Sequence, residues 1–77
     1  MAIRTVTVTL TAQASATFTF PTPPGNYGKS VGLTLADGST AATAFGTDSA
    51  VSGTTTGTLN LSGAVTGTAE ITIYDRT

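Results

Sequence analysis

Residues 3–20 read IRTVTVTLTAQASATFTF, and their alternation decides the fold. The even positions carry Val6, Val8, Leu10, Ala12, Ala14, Ala16, Phe18 and Phe20. The odd positions carry Thr5, Thr7, Thr9, Thr11, Gln13, Ser15, Thr17 and Thr19. Successive residues of a strand point to opposite sides, so the segment has one apolar face and one hydroxyl face. Val, Thr and Phe also suit a pleated, half-buried surface, so propensity and period agree on β structure. No Gly, Asn or Asp marks a turn inside it. Two forms fit the pattern. One is a single strand, unbroken or bent. The other is a hairpin with an odd-length loop centred on Gln13, pairing Leu10 with Ala16 and Val8 with Phe18, because an even loop would turn one arm inside out. Two arms with a bend near Gln13, crossing between two sheets, is the preferred expectation.

Outward from this stretch, Pro21–Lys29 (PTPPGNYGK) holds three prolines, which remove ladder donors. It reads as a loop with a Pro24-Gly25-Asn26 turn, and it carries Tyr27. Val31, Leu33 and Leu35 then alternate into Asp37-Gly38, a strong two-residue hairpin signal. That turn would pair Leu35 with Thr40, Leu33 with Ala42 and Val31 with Ala44, leaving Phe45 on the opposite face or at a strand end. Gly46–Thr56 is polar and turn-rich, with Val51 its one large apolar residue. Alternation resumes at Leu59 and Leu61, and Ser62–Gly67 reads as a Gly-bounded connection. Residues 68–74 set Ala69, Ile71 and Ile73 against Thr68, Glu70, Thr72 and Tyr74. The chain is therefore expected to be all-β and a single domain over residues 1–77. The architecture expected is a small antiparallel β-sandwich or barrel of about six short strands, with no helix.

Composition narrows the function classes. A chain of 77 residues buries about 60% of its extended surface, so a lone core is marginal. Small scaffolds usually add disulfides, a metal or a partner. With no Cys and no His, disulfides and the commonest zinc ligands are absent, and oligomerisation is the staple left. Charged residues make up 9% of the chain, far below the roughly 25% of an average soluble domain, so the surface has little protection against association. Arg4, Lys29 and Arg76 are the only cations, too few to neutralise a run of phosphates, and nucleic acid is not an expected partner. No apolar run nears the roughly 20 residues of a spanning helix. The apolar region after Arg4 is half threonine, so no signal peptide is expected.

Catalysis is not expected, and no cofactor or metal is. General acid–base work would fall to Asp37, Asp48, Glu70, Asp75, Lys29 and two tyrosines. Asp37 and Asp48 have ordinary roles in turns, and Glu70 belongs to a solvated strand face. No D-x-D-x-D run offers calcium its clustered oxygens. Thr5, Thr7, Thr9 and Thr11 are spaced like one row of an ice-binding surface, but Thr54–Thr58 and Thr66–Thr68 share no period with them. Tyr27 and Tyr74 could stack on a sugar or anchor a protein interface, and the interface reading is preferred.

The compact length, the Met1-Ala2-Ile3-Arg4 start, and TVTVTLT and AEITIYD strands around a Gly/Thr-rich middle resemble small virion proteins of tailed phages. The similarity is to capsid decoration or cement proteins; adhesin and pilus-like subunits share the same traits. The resemblance implies a dimer or trimer that binds at capsomer junctions and staples a major capsid protein against internal pressure. The N-terminal strand, the Pro21–Lys29 loop and the Asp75–Thr77 tail are expected to touch neighbours, and the interface residues expected on the chain's own pattern are Ile3, Tyr27, Phe45, Tyr74 and Arg76. The rival expectation is a glycan- or surface-binding β module that turns the same loops toward a ligand.

Overall fold

The computed structural model describes residues 3–76, and among them all regular structure is β. Five strands follow in order: β1 (Ile3–Pro21), β2 (Tyr27–Leu35), β3 (Thr43–Phe45), β4 (Ser49–Val51) and β5 (Thr54–Asp75). All pairing is antiparallel, and β5 is the central strand. β1 runs along one side of it; β2, β3 and β4 occupy successive lengths of the other. The chain is all-β and antiparallel as the alternation predicts. Its strands are not six short ones, however. β1 has 19 residues and β5 has 22, because each offers the other a complementary alternation along its whole length.

A straight 22-residue strand would span about 70 Å at roughly 3.3 Å per residue. The molecule is only 37 Å long. The short loop between β1 and β2 explains the difference. Pro21 pairs with Thr54 at the start of β5, whereas Tyr27 pairs with Asp75 at its end. Six residue steps from Pro21 to Tyr27 reach about 20 Å at most, so β5 has to double back. The sheet thus folds into two leaves. The first holds β2, β1 up to Leu10 and β5 from Gly67; the second holds β3, β4, β1 from Ser15 and β5 up to Leu61.

The bend lies where the long strand was expected to bend. Ala12 takes φ +49°, a left-handed value that costs a non-glycine residue about 1 kcal/mol or more. Register slips on both sides of Gln13: three steps of β1 from Leu10 meet two of β5, then two steps from Gln13 meet five. β5 therefore takes the longer path, and residues 62–67 continue the strand instead of forming a connection. Local bonds hold the corner. Gln13 Oε1 accepts from the Thr11 N–H at 2.9 Å, and the Ala12 N–H donates to Thr66 Oγ1 at 3.1 Å. The Gln13-centred hairpin does not form, since Leu10 pairs with Gly67 and Ala16 with Leu59.

The Asp37-Gly38 hairpin is also absent. A turn closes one residue earlier instead, centred on Ala36-Asp37, where the Gly38 N–H donates to Leu35 O at 3.1 Å and Gly38 itself takes φ +76°. The chain after it leaves β2 and joins the second leaf as β3, with Thr43 opposite Leu61. β2 pairs instead with Gly67–Asp75 over nine residues, placing Val31 beside Ile71 and Leu33 beside Ala69. The larger apolar register prevails over the local turn. The hairpin that does form joins β4 to β5 through Ser52-Gly53, both at positive φ (52° and 81°), as a two-residue primed turn requires.

Between the leaves lie Leu10, Phe18, Phe20, Leu59, Ala69, Ile71 and Ile73, with Val6, Val8, Val31, Leu33 and Phe45 half-buried around them. Phe18 stacks on Phe20 at 5.9 Å, and the edge of Tyr27 meets Phe20 at 5.6 Å, linking the two leaves. Thr55, the one polar residue buried in this core among the described residues, shares a hydroxyl bond with Thr22 at 2.7 Å.

Candidate functional site

Charge is concentrated where the leaves meet. Asp48, in the connection between β3 and β4, accepts from the Tyr27 hydroxyl and from Lys29 Nζ (2.5 Å), both on β2. Lys29 Nζ also lies 4.7 Å from the centre of the Phe45 ring, a cation–π contact. The hydrogen bond to Asp48, then burial and the carboxylate's charge, push the Tyr27 hydroxyl up to about 12 from 10.0. A second pair, Arg4 to Asp75 at 3.3 Å, joins β1 to the end of β5. Four of the seven charged side chains are thereby used inside the molecule. Of the others, Asp37 accepts from the Ser39 hydroxyl (2.6 Å) and N–H (2.9 Å), which hold its carboxyl below the ordinary carboxylate range. It lines a half-open hollow of about 280 Å³ with Leu35, Ser39, Val65 and Thr66. Among the described residues no group of three acids could share a metal ion.

The residues expected at an interface are not gathered in one place. Ile3 is 64% exposed at the start of β1. Tyr27 and Phe45 lie on the inner side of the sheet, committed to Phe20, Phe18, Asp48 and Lys29. The Phe45 ring meets Phe18 edge-on at 6.2 Å. Tyr74 is half-buried on the outer side and lies across Gly28, where any Cβ would collide with its ring. Arg76 is exposed, and its N–H donates to Asn26 O at 3.0 Å. Thr77, the last residue of the expected contact tail, lies outside the described residues. Tyr27 opposes Asp75 while Tyr74 opposes Gly28, so the tyrosines project to opposite faces and cannot form one stacking platform.

Two surface features emerge only from the pairing. The outer face of the first leaf is a grid three strands wide, with rows Thr5–Thr72–Ser30, Thr7–Glu70–Gly32 and Thr9–Thr68–Thr34. Register aligns hydroxyls that have no common period in sequence. The second feature is an edge. Among the described residues β1 pairs with β5 alone, so alternate N–H and C=O groups along its other side have no ladder partner. Arg4 is the only charge in that strand, and Pro21 its only proline, at the far end. The alternating run of residues 5–9 was the signal in the sequence for this edge; which side of the sheet it occupies depended on β5.

No family model, curated protein or solved structure matches the chain.

Proposed function

We propose that this chain is a structural assembly subunit, of the capsid decoration or cement type, that stabilises a protein shell by binding neighbouring subunits. The observation that carries the reading is the 19-residue β1 at the margin of the sheet. Proteins that live alone blunt such edges with lysine, proline, shortness or a covering element. From Thr5 to Phe20, β1 has neither lysine nor proline, and no other strand covers it among the described residues. A partner strand or shell subunit would complete its backbone bonds. Charge distribution supports the same role. With Arg4, Lys29, Asp48 and Asp75 paired internally, the outer faces are largely hydroxyl, a surface that can be covered without stripping water from many ions.

The test adds purified protein to capsids lacking it and follows both cosedimentation and the temperature of shell rupture. Saturable binding with later rupture is expected. A protein that neither cosediments with nor stabilises any shell from its own genomic neighbourhood would refute the role.

A further inference from the structure

The free edge has a self-complementary centre. Residues 5–9, Thr5-Val6-Thr7-Val8-Thr9, read the same in both directions. We propose that β1 pairs antiparallel with β1 of a second copy about a two-fold axis through Thr7; this rests on the assembly reading and names the first partner.

In that register Thr7 faces Thr7 of the second copy, Thr5 faces Thr9, and Val6 faces Val8. Thr–Thr and paired β-branched contacts are favourable cross-strand neighbours. A two-fold interface needs one patch complementary to itself, which a palindromic strand supplies. Whichever parity of backbone groups points outward, the register gives a regular ladder, because Thr7 and Val6/Val8 fall into alternate pair classes. Faces are preserved as well. On the inner side, Val31–Ile71–Val6 of one copy would continue into Val8–Ala69–Leu33 of the next, covering Val6 and Val8, which the lone chain leaves half-exposed. The outer hydroxyl rows would run on across six strands.

The other edges of the sheet suit self-pairing less well. The far edge of β2 carries Lys29 pointing inward and glycines at 28 and 32, features that discourage pairing. The second arm of β1, centred on Phe18, would set Ser15 against Pro21, which has no N–H to give. Arg4, in the proposed register, faces Leu10 rather than another charge.

The chain has no cysteine, so introduced ones report cleanly. Thr7→Cys lies on the axis and is expected to crosslink to a covalent dimer on mild oxidation. Thr5→Cys would sit about 13 Å from its own copy, four residues at roughly 3.3 Å each, beyond the ~7 Å reach of a disulfide. It should therefore crosslink only when mixed with Thr9→Cys. Ser30→Cys, exposed on β2, is the negative control. Light scattering of the unmodified protein is run alongside, expected to give a dimer. A dimer in which Thr7→Cys crosslinks no better than Ser30→Cys overturns the β1 register and leaves assembly intact. A monomer at millimolar concentration overturns the self-pairing outright, and cosedimentation with shells then judges the assembly role separately.

Discussion

Removing the Asp48 carboxylate should open the molecule at the contact that joins its leaves. Lys29 and Asp48 side chains are 12% and 15% exposed, so the ammonium has little water to fall back on when its partner goes. Deleting one member of a buried ion pair costs about 3–5 kcal/mol, and the slight exposure of Lys29 allows it to reach some solvent, which places Asp48→Ala near 3 kcal/mol. The whole domain is worth roughly 4–12 kcal/mol at ~0.05–0.15 per residue, so the loss is a large share. At about 4–8 °C per kcal/mol for a chain of this size, the midpoint of thermal unfolding falls by ~12 °C or more. Urea unfolding followed by far-ultraviolet circular dichroism measures the cost directly. The decisive comparison is the cycle with Lys29→Met. Without the ammonium, Asp48→Ala removes the Tyr27 hydrogen bond together with a carboxylate already left without its cation, and its cost should drop to about 1 kcal/mol or less. An Asp48→Ala cost under ~1 kcal/mol, or a coupling to Lys29 near zero, would refute the argument that these charges hold the leaves together.

Tyr27 makes stability sensitive to alkali. Its hydroxyl is pushed up to about 12 in the folded chain, against 10.0 when free, so its contribution is whole below pH 10 and is lost as pH climbs toward 12. Unfolding midpoints measured across that interval should fall more steeply for the natural protein than for Tyr27→Phe; equal slopes would dismiss the Asp48 bond as the cause. Gly67→Ala should be costly, about 1–3 kcal/mol, because its Cβ would run into the Thr34 carbonyl and Leu35 Cα, which are backbone and cannot swing away. Gly32→Ala, with open space around it, is the matched control and should leave stability unchanged or slightly higher. If both glycines tolerate alanine equally in chemical denaturation, β2 does not lie as close to β5 as described.

The three aspartates are occupied with structure. Asp48 and Asp75 each hold a cation, and Asp37 secures its own turn. Among the described residues the outer side of β1 has backbone groups without a ladder partner. An interface built from ladder bonds and Val–Val contact has no long-range charge to screen, so its strength should depend weakly on salt.

Short-range pattern was enough for the period of β1 and the inward set Ala69, Ile71 and Ile73, whereas it left a bend near Gln13 as one of several forms. Those follow from side-chain alternation, a property each strand carries alone. Charge poverty and the missing cysteines were legible for the same reason: they are counts. Partnership was not. The Asp37-Gly38 turn signal is genuine, yet it could not reveal that β2 would find nine residues of β5 more favourable than the five that follow the turn. Ser52-Gly53, a weaker signal, makes a real hairpin because both residues take the positive φ that a two-residue primed turn needs. Asp48 met Tyr27 and Lys29 only once β5 had folded back. Local sequence sets which face a residue turns to; which strand lies alongside is settled by the apolar area that only the assembled sheet can bury.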